Sequence, residues 1–170
     1  MSAMKDKLYG KLDLKAFWRL REKAIAARSP LGKAWYRIRY YRITEKHGAS
    51  LPLAAQFADL PIFPHGIHGV LVATDAKIGS GCVIYHQVTI GSNTLPDSRG
   101  AGAPTIGDHV YIGCGAKIIG GVTVGDNARI GANCVVTRDV PANATVVAAS
   151  PRVITRDTPP DNTWSRELPD

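Results

Sequence analysis

From Pro104 to Val146 the chain reads PTIGDHVYIGCGAKIIGGVTVGDNARIGANCVVTRDVPANATV, and it can be written in sixes. Hexads open at Pro104, Val110, Ala116, Val122, Ala128 and Cys134, with Val140 and Val146 continuing the count. The third position is apolar as well: Ile106, Ile112, Ile118, Val124, Ile130 and Val136. Glycine often comes next, as Gly107, Gly113, Gly125 and Gly131. Two apolar side chains one residue apart point to the same side of a strand. A glycine after them suits a corner, either because φ turns positive there or because space is short. Each hexad therefore reads as a short strand plus a corner.

Working outward, the same period runs upstream with hexads opening at Leu51, Phe57, Phe63, Val70, Ala76, Cys82 and Val88, and Phe63 to Gly69 carries one extra residue. No hexad buries its apolar pair alone, whereas stacked coils bury all of them in one continuous core. An amphipathic helix needs a period near 3.6, and a two-layer sandwich needs longer strands joined by hairpin turns. The fold read from this spacing is mainly β, a parallel β-helix. The spacing does not set its hand, and crossovers between parallel strands are usually right-handed.

The repeat leaves three other segments. Residues 1–48 carry 13 Lys and Arg against 4 Asp and Glu, whereas the remaining chain is slightly acidic. The net charge of +7 thus belongs to the N-terminal segment and gives no reason to expect a nucleic-acid partner for the main body. Residues 13–28 read as a helix with Asp13 as N-cap, stopped by Ser29-Pro30. Residues 31–46 read as a second, strongly basic helix with Trp35, Ile38 and Tyr41 on one side. The plain reading is a helical cap with a solvated basic face, and the sharper one is peripheral contact with anionic lipid or a phosphorylated acceptor. Residues 94–103, TLPDSRGAGA, interrupt the hexads as an extruded loop, a usual place for function on a rigid scaffold. Residues 155–170 read as an irregular tail that Trp164 could pin to a neighbour. The expected organisation is 1–48 basic and helical, 49–154 β-helix, 155–170 tail. Nothing approaches the roughly 18 consecutive apolar residues of a membrane span, and Met1 to Gly10 has no apolar signal core, so the expected location is cytoplasmic. Cys82, Cys114 and Cys134 lie far apart without a C-x-x-C pair, which argues against a disulfide framework or a zinc ribbon.

Three stretches, HQVTIG (His86 to Gly91), Ala103 to Pro141 and PRVI (Pro151 to Ile154), resemble the serine acetyltransferase branch of the hexapeptide-repeat acyltransferases. The resemblance covers more than half the chain. It implies a left-handed β-helix, an exception to the usual hand, and a homotrimer of side-by-side prisms with active sites at the interfaces. It also implies acetyl-CoA as co-substrate, no metal, and a hydroxyl acceptor. Family members place a catalytic histidine near the start of the hexad-rich region, where this chain has FPHGIHG, Phe63 to Gly69. His65, following Pro64, is the expected general base, and the extra residue leaves His68 as its substitute. A histidine suits the task because its ordinary pKa, about 6.5, leaves it largely neutral at pH 7. Backbone N–H groups at Gly91 and Ser92 match the family's oxyanion turn. Cys114, Arg129 and Ala132 match positions along the coenzyme groove. Arg129 reads either as a phosphate ligand or as a solvated side chain. His86 reads as a residue lining the groove on the substrate side.

The chain also departs from that branch. An aspartate that orients the base in relatives is Ser50 here, and a second histidine after the extruded loop is Ala103. The coenzyme-touching turn G-x-P-A-[RK] is replaced by Ala149-Ser150-Pro151-Arg152. The first two departures count against free serine and put a sugar or polysaccharide hydroxyl slightly ahead of it, as in shorter relatives that acetylate surface polysaccharides. Two further functions compete: a zinc-dependent lyase of the β-helical carbonic anhydrase type, needing His65, His86 and His109 to converge across an interface, and a non-catalytic β-helix scaffold.

Overall fold

The computed structural model describes residues 12–159. The basic residues before position 12 and the end of the tail, Trp164 included, lie outside them. Strands are two or three residues long and fall into three sheets. The first face holds β2 (Leu71–Val72), β5 (Thr89–Gly91), β8 (Lys117–Ile119) and β11 (Val135–Val136). The second holds β1 (Gln56–Phe57), β3 (Lys77–Ile78), β6 (Thr105–Ile106) and β9 (Thr123–Val124). The third holds β4 (Val83–Ile84), β7 (Tyr111–Ile112), β10 (Arg129–Ile130) and β12 (Thr145–Val146). All pairs within these sheets are parallel. From β2 to β11 the chain therefore returns to the same face every third strand and winds into a three-sided column.

Stacking explains why such short strands persist. A strand of two residues makes almost no ladder by itself, yet each coil bonds to those above and below. Leu71 N–H donates to Val88 O at 2.9 Å, Thr89 N–H to Ala116 O at 2.9 Å and Lys117 N–H to Cys134 O at 2.8 Å. The third hexad positions stack inside the column, with Ile84, Ile112 and Ile130 fully buried over one another on the third face. Burying one such side chain contributes about 1.5–3 kcal/mol, realised only when the next coil covers it.

Pairing corrects the hexad count at both ends. Ser50 bridges Leu71, Gln56 pairs with Lys77, and Ile62 bridges Val83. Leu51, Phe57 and Phe63 thus occupy third positions rather than first ones, and the early hexads open at Ala49, Ala55 and Pro61. Nine residues then separate Pro61 from Val70, so the segment around His65 carries three extra residues, not one. At the other end Val140 bridges Val124, and Val146 pairs with Ile130. Val140 and Val146 are third positions too, because the coil after Cys134 is two residues short.

The structure also decides between the two readings of the corner glycines. Gly107 has no positive φ, but a Cβ there would lie 2.9 Å from the backbone nitrogen of Asp126 on the next coil. Space is what excludes a side chain. The left-handed conformation falls two residues later, at His109 (φ 55°) and Asn127 (φ 59°).

Two helices close the start of the column. α1 (Leu14–Ala26) is N-capped by Asp13, whose carboxylate accepts from Ala16 N–H at 3.0 Å. α2 (Pro30–Lys46) is N-capped by Ser29, with Pro30 in its first turn, so the residues expected to stop the first helix also start the second. Phe17 stacks on Tyr40 at 5.0 Å, and Trp18 meets Phe57 of β1 edge-on at 5.3 Å. Tyr40 Oη donates to Leu51 O at 2.7 Å. Arg21, only 6% exposed, donates to Ala55 O at 2.6 Å and to Leu53 O at 3.3 Å. Its guanidinium also stands 5.0 Å from the ring centres of Trp18 and Phe57. These bonds satisfy carbonyls of the first coil that no coil above can reach. The packed side of α2 is that of Tyr40 and Thr44, while Trp35, Ile38 and Tyr41, the stripe read from sequence, face outward.

Candidate active site

The three extra residues after Pro61 form a turn from Pro64 to Gly69. Ile67 is fully buried and anchors it, and Gly66 (φ 72°) and Gly69 (φ 65°) supply the left-handed bends. With Ile67 pinned inside, His65 and His68 are both exposed but stand among different neighbours. His65 Nδ1 lies 2.9 Å from His86 Nδ1. The His65 ring also meets Tyr85 edge-on at 5.3 Å, and Tyr85 in turn lies 5.3 Å from Tyr111 on the next coil. His68 instead packs against His47 at the end of α2, ring centres 4.8 Å apart, and His47 Nδ1 is bonded to Ile43 O.

The pairing of His65 with His86 constrains the protons. Two neutral imidazoles sharing Nδ1 to Nδ1 need one Nδ1–H donor and one Nδ1 lone pair. If His65 is the donor, its Nε2 is left as a free base. His86 is the less exposed ring of the two, which leaves His65 as the outward member of the pair.

The corner between the third and first faces carries the pair and continues past it. His65, His86, Cys114 and Ala132 each lie two residues after the buried third position of their coil, so they stack along one edge of the column. Cys114 is half-buried and Ala132 exposed. Arg129 projects from the third face beside Tyr111, its register partner, and is exposed.

Gly91 and Ser92 are not on that edge. Gly91 ends β5 on the first face and Ser92 follows it, at the mouth of the extruded loop. Asn93 and Gly102 pair antiparallel there, exchanging N–H bonds of 2.8 and 2.9 Å, and Asn93 Nδ2 donates to Ser98 Oγ at 2.7 Å. Below, Gly120 N–H donates to Gly91 O at 2.9 Å and Gly121 N–H to Gly100 O at 3.0 Å. Gly120 and Gly121 let the loop lie directly on the next coil, a role the sequence reading missed although the Gly-Gly doublet was visible. His109 stands on a third corner, where its N–H bonds Ser80 O. Hence His65 and His86 meet within the chain and His109 does not join them. Among the described residues no three His, Cys, Asp or Glu side chains form a group that could hold a metal ion.

Comparison with known proteins bears on the same segments. Residues 103–138 match the family model "Bacterial transferase hexapeptide (six repeats)". The serine acetyltransferase of Mycobacterium tuberculosis is 42% identical over 52 residues, 31% of this chain and 22% of that protein. In fold, the Brucella abortus serine acetyltransferase solved with coenzyme A superposes with a TM-score of 0.66 at 29% identity, over 85% of this chain and 57% of that one. This chain is built of hexapeptide repeats and is similar to serine acetyltransferases in sequence and fold. Its three-sided column is the left-handed parallel β-helix of those enzymes. The Neisseria gonorrhoeae serine acetyltransferase solved with serine is likewise similar, at 32% identity and TM-score 0.59 over 69% of this chain and 46% of that one. The hexapeptide-repeat chain thus spans about a fifth of the M. tuberculosis protein and roughly half of each structural neighbour.

Proposed function

We propose that this protein is an acetyl-CoA-dependent O-acetyltransferase in which His65 is the general base and His86 holds it in the working tautomer. The observation that carries the reading is the 2.9 Å imidazole pair at the head of the Cys114–Ala132 edge. His65 Nε2 takes the acceptor hydroxyl proton as the oxygen bonds to the thioester carbonyl carbon. The resulting oxyanion collapses, the C–S bond breaks, and the protonated His65 returns its proton to the departing thiolate. The coenzyme lies along the Cys114 and Ala132 edge, where neither side chain is bulky, with Arg129 beside its phosphates.

Within one chain Gly91 and Ser92 sit on a different edge from His65. A homotrimer that sets the loop edge of one subunit against the histidine edge of the next brings the oxyanion donors to the base. The acceptor is a sugar or polysaccharide hydroxyl ahead of serine. Ser50, which bridges β2, and Ala103, at the base of the loop, offer neither a carboxylate nor an imidazole to an amino acid. Contact of the basic N-terminal segment with a membrane is a separate proposal that rests on α2.

The test is a screen of free coenzyme A release from acetyl-CoA with serine, common hexoses and polysaccharide fragments. Release with at least one hydroxyl acceptor, lost in His65→Ala, is the expected result. Full turnover in His65→Ala removes the base from its role. Failure of the wild-type protein to bind acetyl-CoA overturns the enzyme reading in favour of a scaffold.

A further inference from the structure

α2 carries apolar residues on two opposite sides, and only one of them is used. Tyr40 and Thr44 are buried against the column, while Leu31, Trp35 and Ile38 are 85%, 54% and 55% exposed. Their spacing of four and three residues places all three on one stripe, continued by Arg42 and Lys46 at the same helical period. Arg39 flanks the stripe and lies over the Trp35 ring, its guanidinium carbon 5.3 Å from the ring centre. A shallow depression runs along this side, lined by Trp35, Ile38, Arg39, Arg42, Ile43 and Lys46. The helix holds five basic residues against the single acid Glu45, with Lys33 and Arg37 in line with Tyr40 and Thr44 rather than with the outer stripe. No helix among the described residues is long and apolar enough to cross a membrane.

We propose that this outer side of α2 docks on an anionic phospholipid bilayer, lying in the plane of the headgroups. The charge selects the occupant. A stripe of Leu, Trp and Ile edged by Arg and Lys matches a surface that is negative outside and apolar just beneath. Tryptophan suits the boundary because its ring is apolar and its N–H is polar. An apolar protein partner would have no use for the three cations, Arg39, Arg42 and Lys46, that line this depression. The opposite side of α2 stays bonded to the first coil through Tyr40, so docking needs no unfolding.

The test is co-flotation of the full chain with vesicles of phosphatidylcholine alone and of phosphatidylcholine with phosphatidylserine. It requires no turnover, so it stands apart from the acetyltransferase reading. The expected result is binding to the phosphatidylserine vesicles only, released by high salt. Replacing Arg39, Arg42 and Lys46 with Gln together weakens binding about a hundredfold, at roughly fivefold per charge. Trp35→Ala with Ile38→Ala weakens it at least tenfold, with circular dichroism and melting unchanged in both variants. Equal binding to both vesicle types, or to neither, overturns the proposal. So does dissociation of the protein's assembly by Trp35→Ala with Ile38→Ala in light scattering, which assigns the stripe to a second copy of this chain.

Discussion

The sharpest consequence of the paired imidazoles is what happens when His86 becomes Phe. The ring shape is roughly kept, while the Nδ1 partner 2.9 Å from His65 is lost. On the proposed mechanism that bond joins two neutral rings before transfer and contributes about 0.5–1.5 kcal/mol. When His65 takes the acceptor proton it becomes a cation, and its Nδ1–H bond becomes charge-assisted, roughly twice as strong. The gain between ground and transition state is therefore about 0.5–1.5 kcal/mol, or roughly two- to twelvefold in rate. Free rotation of the His65 ring, and the tautomer that places the proton on Nε2, remove a further share. His86→Phe should lower kcat by about ten- to a hundredfold with KM for acetyl-CoA little changed. His65→Ala should cost about 10²–10⁴. Because His86 acts through His65, the double variant should be no slower than His65→Ala alone. Steady-state kinetics on the three variants decide it. An unimpaired His86→Phe refutes the positioning role. A His86 variant slower than His65→Ala refutes the assignment itself and makes His86 the base.

Three stability predictions follow from the column and its cap. Gly107→Ala places a methyl group 2.9 Å from the Asp126 backbone nitrogen and presses on the Asp126 carboxylate that accepts from Asp108 N–H. Overpacking of this kind costs about 1–3 kcal/mol, seen as a lower melting temperature, and an unchanged one contradicts the account of the corners. Arg21→Met leaves the carbonyls of Leu53 and Ala55 without their donor and removes the stacking on Trp18 and Phe57. The buried guanidinium has a partnerless Nε, whose removal offsets part of that loss, so about 1–3 kcal/mol of destabilisation in urea unfolding is expected. A variant as stable as the parent shows that the charge gives the cap nothing. Burial holds the Tyr40 phenol well above its ordinary range, so the folded state keeps its proton where the unfolded chain, near pH 10, gives it up. Its contribution is present below pH 10 and is lost as the pH rises further. Tyr40→Phe should be less stable at neutral pH, through the orphaned Leu51 carbonyl, and fall less steeply in alkali. Parallel alkaline curves for the two proteins count against this.

Much of the column was determined by sequence alone. Apolar residues in first and third places every six residues leave one way to bury them all, and from Val70 to Val136 the pairing follows that count. The ends were not legible for the same reason. A shift of two residues carries a third position onto a first, so Leu51, Phe57, Phe63, Val140 and Val146 satisfy either numbering. Only the backbone bonds of Ser50, Ile62 and Val140 to their neighbours decide it. The packed side of α2 was equally hidden, because apolar side chains lie on both of its sides. The first coil's free carbonyls choose the side that brings Tyr40 to Leu51. The histidines carry the same lesson. The family resemblance put His65 first and left His68 as its substitute. The turn pinned by Ile67 sets one against His86 and the other against His47, since partners 21 residues apart along the chain meet only after a full coil has been wound.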